Sequence, residues 1–284
     1  MSANRAVDDL PPLDAETRLL AEAVRAAGRV ALGYFRHRPK MWEKRPNDPV
    51  SEADLAVNES LRATLGARRP DYGWLSEEDA DDTARLGARR TWVVDPIDGT
   101  RAFLQGRDCF VVSAALVEDG RPVAAAICRP THDNLYSAWR GGGAWLNDRP
   151  IRVSDTDRLD DARVLGDEDW MHSKRLWPVP WPRLRCRGDC NAIALRICLV
   201  AAGDYDATVS LRPSNDWDVA AAELILEEAG GVCITGMGHP HAYNSPKPKP
   251  PFVVAAAPGV SDAVMERMVP ALERRAERKA RERG

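Results

Sequence analysis

One nine-residue segment, WVVDPIDGT at 92–100, constrains the fold of this chain more than any other. It begins as a β-rich apolar run and ends in two carboxylates, Asp95 and Asp98, with Pro96 between them. Proline fixes its own φ and pushes the preceding residue into an extended conformation, so Asp95 is expected at the end of a strand. The chain must then turn, which can bring Asp98 back beside Asp95 and leave the Ile97 carbonyl free of the sheet. The segment therefore predicts a strand that ends in a cluster of acidic oxygens.

Such a cluster has a chemical use, although a plain turn would also explain it. Two carboxylates and a carbonyl in a small space suit a hard cation such as Mg²⁺. Gly99 and Thr100 follow at once, and RAFLQG can open a short helix whose first N–H groups would bind an anion such as phosphate. The alternative is that the segment is only a turn, because Asp, Pro and Gly are the usual turn residues. On this segment alone the two interpretations carry about equal weight.

Other acidic residues lie at the ends of predicted elements and shift that balance. Glu77 and Glu78 come directly after an apolar pair, as at the end of a strand. Asp218 opens a predicted helix, where an acid can also serve as an N-cap or interact with the helix dipole. Asp54 follows Ser51 by three residues, which matches a capping box. Each of these positions means little alone.

The remaining pattern predicts an α+β first half (1–155) and an α/β second half (156–284). The first helix has Asp14 as its expected N-cap, and Ser261 is expected to cap the C-terminal helix. Hydrophobic residues in 155–190 show no clear periodicity. The final ERRAERKARERG is expected to be a frayed helix end. Helices are predicted over 14–38, 51–67, 191–202 and 217–229, and strands over 91–94, 110–117, 123–128, 135–139, 206–211, 231–235 and 252–256, with a hairpin turn at 118–120.

Composition excludes several classes of protein. Hydrophobic residues make up 44% of the 284 residues and charged residues 29%, which excludes a disordered chain. Forty basic and 43 acidic side chains give a net charge of −3, so electrostatics gives no reason to expect binding to nucleic acid or to a membrane surface. No apolar run approaches the roughly 18–20 residues of a membrane span, and the N-terminus lacks the apolar core of a signal peptide. The expected location is the cytoplasm.

Three segments resemble the signature motifs of the inositol monophosphatase superfamily, in the same order. They are Ser-Glu-Glu at 76–78, WVVDPIDGT at 92–100 and WDVAA at 217–221. The resemblance extends from about Asp48 to Gly231, with weaker similarity on both flanks. It implies a layered α-β-α-β-α sandwich and Mg²⁺-dependent hydrolysis of a small-molecule phosphate monoester, with two or three metal ions and inhibition by Li⁺. It is also compatible with a homodimer, and it implies no nucleic-acid or membrane partner.

The resemblance also implies roles for individual residues. Thr100 would help to activate the attacking water, Asp54 would orient the Thr100 hydroxyl, and Glu77 would act as both metal ligand and catalytic residue. Glu78, next to that ligand, would play a supporting part. The metal ligands implied are Glu77, Asp95, the Ile97 carbonyl, Asp98 and Asp218. The phosphate- or substrate-binding residues implied are Asp98, Gly99, Thr100, Leu211 and Asp218.

Two departures from the inositol-specific pattern bear on the substrate. Inositol-specific members carry a glutamate where this chain has Leu211, and a Gly-Ser-Ala segment where it has Asn191-Ala192-Ile193. A buried leucine cannot satisfy a polyol hydroxyl, so inositol phosphate is not favoured. DPVSEADLAVN (48–58) and LSEEDADDTARL (75–86) are more similar to bacterial 3'(2'),5'-bisphosphate nucleotidases. Adenosine 3',5'-bisphosphate is therefore the expected substrate, with Leu211 and Ile193 in apolar contact and Arg212 on the second phosphate.

Alternatives of the same and of other classes stay open. DPIDGTRAF (95–103) is similar to histidinol-phosphate phosphatases, and an inositol-1-monophosphatase is the other enzymatic alternative. A phosphate-ligand sensor without chemistry would keep the pocket, but the complete set of expected site residues argues against it. A structural or RNA-interacting protein would act through the basic C-terminal end, and the net charge of −3 argues against that.

Overall fold

Two β-sheets organise the chain, and each is built from a different stretch of the sequence. The computed structural model describes residues 10–166, 168–182, 184–188, 190–236 and 240–281, with only the backbone of residues 168 and 185–187. The helices are α1 (Leu13–Tyr34), α2 (Glu52–Arg68), α3 (Thr100–Leu104), α4 (Glu168–Met171), α5 (Ile193–Ala201), α6 (Asp216–Glu228) and α7 (Pro258–Arg281). The strands are β1 (Met41–Arg45), β2 (Asp48–Ser51), β3 (Gly73–Ser76), β4 (Arg90–Asp98), β5 (Val111–Glu118), β6 (Arg121–Arg129), β7 (Asn134–Trp139), β8 (Ala144–Leu146), β9 (Arg149–Ile151), β10 (Arg163–Leu165), β11 (Arg185–Arg187), β12 (Ala207–Ser210), β13 (Val232–Ile234) and β14 (Val253–Ala256).

The two sheets differ in strand direction. Strands β3 to β9 form a seven-stranded sheet in sequence order, in which β3 and β4 are parallel and the other neighbours are antiparallel. The five-stranded sheet has the order β11-β10-β12-β14-β13, and it is parallel from β11 to β12 and antiparallel from β12 to β13. Strands β1 and β2 form a separate hairpin. The sequence predicted this mixture of α+β and α/β features.

The helices complete the layers. Helices α1 and α2 pack on one face of the seven-stranded sheet, α5 and α6 lie between the two sheets, and α7 packs against the five-stranded sheet. The predicted α-β-α-β-α sandwich is therefore confirmed. The boundary predicted at 155/156 falls in the connection between β9 and β10. Because α6 packs on strands of both sheets, the division into two halves stays a prediction.

Alternation along the central strands explains why the seven-stranded sheet is covered on both faces. Trp92, Val94 and Leu116 are buried in the core beneath α1 and α2. Val93 and Val117 point the other way, into the core shared with α5 and α6. Successive side chains on a strand face opposite sides of the sheet, so an uninterrupted apolar run fills two cores. Each such side chain contributes about 1.5–3 kcal/mol to folding.

The predicted hairpin between β5 and β6 is confirmed, and its turn has the geometry that its residues favour. Glu118 pairs with Arg121, and Asp119 and Gly120 between them have φ values of 51° and 73°. Two consecutive positive φ angles make a type I′ turn, for which Asp-Gly is a preferred sequence.

Both predicted ends of the first helix were wrong. Helix α1 ends at Tyr34 rather than at residue 38, because Arg36 and Arg38 have φ values of 64° and 51°, which no right-handed helix accommodates. It begins at Leu13 after Pro12, so Asp14 is not its N-cap and pairs instead with Arg18 at 2.9 Å.

The C-terminal helix begins earlier than predicted. It begins at Pro258, and the Ser261 hydroxyl lies inside its first turn, where it donates to the Pro258 carbonyl at 3.0 Å. Ser261 is therefore not its cap. The helix continues to Arg281, through most of the segment expected to fray.

Tryptophans organise residues 170–181, part of the segment in which the sequence showed no periodic pattern. The rings of Trp170 and Trp177 meet edge to face at 5.0 Å, and those of Trp177 and Trp181 do so at 5.1 Å. Arg267 of α7 lies 5.7 Å from the Trp181 ring and donates to the Pro180 carbonyl at 3.1 Å. This segment therefore packs against α7 through aromatic and cation–π contacts.

Among the described helices, none combines the length and the apolar character that crossing a membrane requires.

Candidate metal and phosphate site

Strand β4 delivers two of the predicted acidic residues through a β-bulge, not through a turn. Asp95 pairs with Ser113 and Asp98 pairs with Val111, so β4 contains one residue more than β5 between these pairs. The strand continues through Pro96 to Asp98, which corrects the predicted end at residue 94. Asp95 is 1% exposed and Asp98 is 8% exposed, so both carboxyl groups are buried at the bulge.

The residue after the bulge must be glycine. Gly99 has a φ of 98°, and a Cβ atom there would lie 2.6 Å from the carbonyl oxygen of Cys109. Only glycine combines this left-handed conformation with so close an approach of another backbone segment. Helix α3 begins at the next residue, Thr100, as the sequence predicted for RAFLQG.

Three carboxylates converge where β3, β4 and α6 meet. Glu77, Asp95 and Asp218 each offer an oxygen, and these oxygens lie within 4.8 Å of one another. Glu77 follows β3, which is parallel to β4, so both acids emerge at the same edge of the sheet. Asp218 comes from the first turn of α6. Asp95 Oδ1 is buried without a hydrogen-bond partner among the described residues, so this cluster holds an acceptor that a bound cation would satisfy.

Electrostatics within the cluster favours protonation when no metal ion is bound. Burial, reinforced by the charges of Glu77, Asp98 and Asp218, raises the pKa of Asp95 well above its ordinary value. Burial also raises the pKa of Asp218 to about 7, against the effect of hydrogen bonds from Asn215. A divalent cation removes both penalties, because it stabilises the ionised forms.

Lys44 occupies the edge of this cluster and was missed by the sequence analysis. Its Nζ donates to Glu77 Oε1 at 3.0 Å and to Glu78 Oε1 at 2.9 Å. Burial lowers the pKa of Lys44, but the two glutamates outweigh that effect and raise it. Burial raises the pKa of Glu78 to about 7 in spite of Lys44. Lys44 lies in strand β1, whose five residues are all exposed. A lysine in an exposed strand is common, so the sequence does not mark Lys44 as a site residue.

Asp98 and the Ile97 carbonyl line the same cavity as the cluster. Asp98 Oδ2 accepts a hydrogen bond from the Ala194 N–H at 2.7 Å, at the start of α5, and Asp98 is not one of the three clustered carboxylates. Ile97 lies inside the bulge, outside the paired residues of β4 and β5, as the sequence predicted. Its carbonyl oxygen lies 3.0 Å from Thr100 Oγ1, which also reaches Asp54 and can donate its one proton to either acceptor.

Asp54 uses its two oxygens for two different partners. Oδ2 accepts the Ser51 N–H at 2.8 Å and the Ser51 hydroxyl at 2.6 Å, which confirms the predicted capping box of α2. Oδ1 accepts Thr100 Oγ1 at 3.2 Å. The predicted cap and the contact with Thr100 therefore coexist.

Asp218 repeats this arrangement on α6. Its Oδ2 accepts the Asn215 N–H at 2.6 Å in a second capping box. The capping box predicted at Asp54 is therefore present, whereas Asp218 is an acid in the first turn of α6 and not its N-cap, which is Asn215. Neither arrangement prevents the acid from facing the site. The capping hydrogen bonds at the start of each helix hold the carboxylate in position beside the site.

The predicted site residues divide between two cavities. One has a volume of about 200 Å³ and is lined by all the predicted metal and phosphate residues except Leu211, together with Asn47, Asp48, Pro49, Arg101 and Asn191. Asp54 is 1% exposed and lies beneath Thr100 rather than on the cavity wall. Leu211 is 7% exposed and lines a second cavity of about 750 Å³. Asn191 lines both cavities, so the two are adjacent.

The comparisons with known proteins agree with this geometry. The inositol monophosphatase family model matches residues 13–275. The chain belongs to this family. An inositol-1-monophosphatase of Rhizobium meliloti is 39% identical over 196 residues, which cover 66% of this chain and 72% of that protein. A histidinol-phosphatase of Chlorobaculum parvum is 34% identical over 231 residues, or 78% of this chain and 86% of that protein.

A solved relative has the same fold. The extragenic suppressor protein SuhB of Bartonella henselae superposes with a TM-score of 0.77 at 29% identity, over 91% of this chain and 98% of that one. As a member of the inositol monophosphatase family, this chain is a phosphatase. Its substrates are phosphate monoesters of small molecules.

A first prediction concerns pH. Without metal ions, the stability of the protein should fall as the pH rises from about 5 to about 8. Asp95 and Asp218 have raised pKa values, so the folded state retains protons that the unfolded chain releases near pH 4. The unfolded state then binds fewer protons than the folded state, and the free energy of unfolding decreases across this window.

Thermal unfolding in a chelator, measured at intervals over this pH range, tests that prediction. Glu223 is buried and its pKa is also raised to about 7, so part of the slope is independent of the site. The part of the slope that the site contributes is the part that disappears in Asp218→Asn and on addition of Mg²⁺. A melting temperature that rises with pH in the chelator would contradict the account.

Proposed function

We propose that this phosphatase hydrolyses its substrate with the help of Mg²⁺, and that its main substrate is adenosine 3',5'-bisphosphate. The observation that carries the metal-dependent part is the convergence of Glu77, Asp95 and Asp218 within 4.8 Å. The donor set consists of carboxylates, without thiolate or imidazole, which suits Mg²⁺ rather than zinc.

The residues present fit a bound Mg²⁺. Asp95 Oδ1 is a buried acceptor without a partner in the described chain, and Lys44 already places one cationic group against Glu77. Glu77, Asp95 and Asp218 would hold the metal, with Asp98 and the Ile97 carbonyl lining the same cavity. Bound Mg²⁺ would neutralise phosphate charge and lower the pKa of a water molecule. We propose two or three such ions, with inhibition by Li⁺.

Thr100 and Asp54 would orient the attacking water. Thr100 Oγ1 lies 3.0 Å from the Ile97 carbonyl and 3.2 Å from Asp54 Oδ1, and it lines the cavity of the acidic cluster. When the hydroxyl donates to Asp54, its lone pairs are available to a water in the cavity. Burial raises the pKa of Asp54, which makes its carboxylate a better acceptor for that proton.

The phosphate would bind beside the cluster, at the start of α3. Gly99 and Thr100 line the cavity, and the first N–H groups of a helix have no partner within the helix. Phosphoryl transfer depends mainly on charge neutralisation and on in-line placement of water. A phosphate here would lie between the amide donors and the three carboxylates that hold the metal.

The preference for a nucleotide is supported by the cavity that adjoins the site. Its volume of about 750 Å³ suits a ligand larger than a polyol, and Leu211 on its wall offers no hydrogen bond to a sugar hydroxyl. Ile193 also lines it and adds apolar surface. The inositol-1-monophosphatase and the histidinol-phosphatase among the relatives make inositol 1-phosphate and histidinol phosphate the competing substrates.

A phosphate-release panel tests both parts of the proposal. Adenosine 3',5'-bisphosphate, inositol 1-phosphate and histidinol phosphate are compared at matched concentrations of Mg²⁺, with Asp95→Asn as the inactive control. We expect the highest kcat/KM with the bisphosphate. A higher value with either competitor would overturn the nucleotide assignment but leave the phosphatase in place. No Mg²⁺-dependent release from any of the three would contradict the metal-dependent mechanism proposed for this site.

A further inference from the structure

The cavity of about 750 Å³ carries a concentration of positive charge, of which the expected nucleotide binding uses only Arg212. It lies between the end of β12, helix α5 and helix α7, and it meets the metal site at Asn191. Its described lining includes one carboxylate, Glu277, and seven guanidinium groups. These are Arg175, Arg196, Arg212, Arg274, Arg275, Arg278 and Arg281.

Helix α7 places four of these arginines on one side. Arg274, Arg275, Arg278 and Arg281 have the spacing i, i+1, i+4 and i+7, which keeps them on a single face, and all of them line the cavity. Like charges at i and i+4 destabilise a helix. The helix dipole compensates only the last turn, so it does not account for Arg274 and Arg275.

Within the described part of the chain, the hydrogen bonds of Arg274 and Arg275 go to backbone carbonyls. Arg274 Nη1 donates to the carbonyls of Lys174 and Arg175 at 3.3 and 3.4 Å, and Arg275 donates to the Leu211 carbonyl. Arg212 has no side-chain hydrogen bond or ion pair with the described residues. Backbone carbonyls are neutral, so none of these contacts offsets a guanidinium charge with a carboxylate.

Arg196 shows the same shortage at the bottom of the cavity. Its Nη2 donates to the carbonyls of Leu165 and Val209 at 2.6 and 3.0 Å, while its Nε is buried without a partner among the described residues. A buried guanidinium nitrogen without an acceptor is costly. The cavity therefore combines an unsatisfied donor at its base with a row of cations around it.

The position of the cavity relates this charge to the substrate. Leu211, which stands at the end of β12, is held to α7 by Arg275 and lines the cavity. Asn191 belongs to both cavities, so a molecule whose phosphate lies at the start of α3 would extend its other end toward the arginines. Guanidinium groups bind phosphate through charge-assisted and bidentate hydrogen bonds.

We propose that this arginine-lined cavity binds a second phosphate group, carried by the part of the substrate that leaves, and that Arg212 and Arg274 are its principal ligands. This inference rests on the proposed function, because it assigns the end of the substrate away from the metal. It makes helix α7 a determinant of specificity: α7 distinguishes a bisphosphate from a monophosphate without touching the reacting atoms.

The kinetic test compares adenosine 3',5'-bisphosphate with adenosine 3'-monophosphate in wild type, Arg212→Gln and Arg274→Gln. A charge-assisted contact made equally in the ground and transition states affects KM and leaves kcat unchanged. We expect each variant to raise KM for the bisphosphate about 10- to 100-fold, with little change for the monophosphate. Lys279→Gln is the matched control, because Lys279 lies on the same helix but does not line the cavity.

A binding measurement separates this inference from the proposed reaction. Calorimetric titrations in a chelator, where no turnover occurs, use the bisphosphate, the monophosphate and inorganic phosphate as probes. We expect the bisphosphate to bind most tightly, to weaken about 10- to 100-fold in Arg212→Gln and Arg274→Gln, and to be unaffected in Lys279→Gln. This result would support the second-phosphate site even if another ester proved to be the preferred substrate.

Two results would overturn the inference. In the first, free phosphate binds in a manner that depends on the arginines, but the bisphosphate binds no more tightly than the monophosphate. The cavity would then hold an independent anion. The second is an equal loss for both nucleotides in the arginine variants, because the cavity would then not distinguish the second phosphate. Either result leaves the metal-dependent reaction at Glu77, Asp95 and Asp218 intact.

Discussion

Asp95→Asn and Asp218→Asn are each expected to lower kcat by about 10³-fold or more. A divalent metal supplies several kcal/mol of stabilisation to the transition state, and each 1.36 kcal/mol corresponds to a factor of ten in rate. Asp95 and Asp218 supply two of the three clustered carboxylates, so removal of either charge weakens the metal site directly. The measurement is phosphate release at saturating Mg²⁺, with circular dichroism to confirm that the variants are folded.

The same substitutions are expected to leave the metal-free protein as stable as wild type, or more stable. Burial and neighbouring charges disfavour the ionised form of Asp95, and Asn removes that charge. Asn can also accept the capping hydrogen bond that Asp218 receives from Asn215. The control is Asp119→Asn in the β5–β6 turn, where Asn suits a φ of 51°. If the metal-free site variants unfold at a much lower temperature than wild type, the main roles of these acids are to stabilise a turn and to cap a helix.

Asp54→Asn and Thr100→Val are expected to reduce kcat by about 10²–10⁴-fold with little change in KM, the usual range for a general-base element. Asn can still accept the capping hydrogen bonds from Ser51, but its amide would present an N–H to Thr100 Oγ1 in place of the carboxylate oxygen. Thr100→Val keeps the shape of the side chain and removes the hydroxyl. Wild-type kcat in Asp54→Asn would show that Asp54 only caps α2.

The double variant distinguishes a shared role from two separate ones. If Asp54 acts through the Thr100 hydroxyl, the double variant should be no slower than the worse single variant, because residues that act as a unit are not additive. Multiplication of the two effects would contradict the pairing. Asp54→Ala separates stability from catalysis, since it should also cost about 0.5–2 kcal/mol through loss of the cap.

The sequence predicted the features that depend on local chemistry. The apolar run of β4, the Asp119-Gly120 turn and the capping box at Asp54 follow from strand, turn and helix-start rules, and the structure has all three. The three acidic motifs led to the family because each combines a local signal with chemistry. The layered architecture came with that resemblance rather than from periodicity.

The features that the sequence did not predict depend on tertiary contacts. Lys44 reaches Glu77 across 33 residues from an exposed strand, so neither burial nor spacing marks it. The arginines of helix α7 line a cavity that is formed only when α7 packs beside Leu211. The bulge at Asp98 was missed because proline suggests a turn as readily as an irregular strand.

The central claim is that Glu77, Asp95 and Asp218 hold a metal that the phosphatase reaction requires. It is tested most directly by phosphate release from adenosine 3',5'-bisphosphate, inositol 1-phosphate and histidinol phosphate, measured with Mg²⁺, with excess EDTA, and after Mg²⁺ is restored. We predict that release with each substrate that is hydrolysed falls to background in EDTA and recovers fully when Mg²⁺ exceeds the chelator. Undiminished turnover in excess EDTA would contradict the claim.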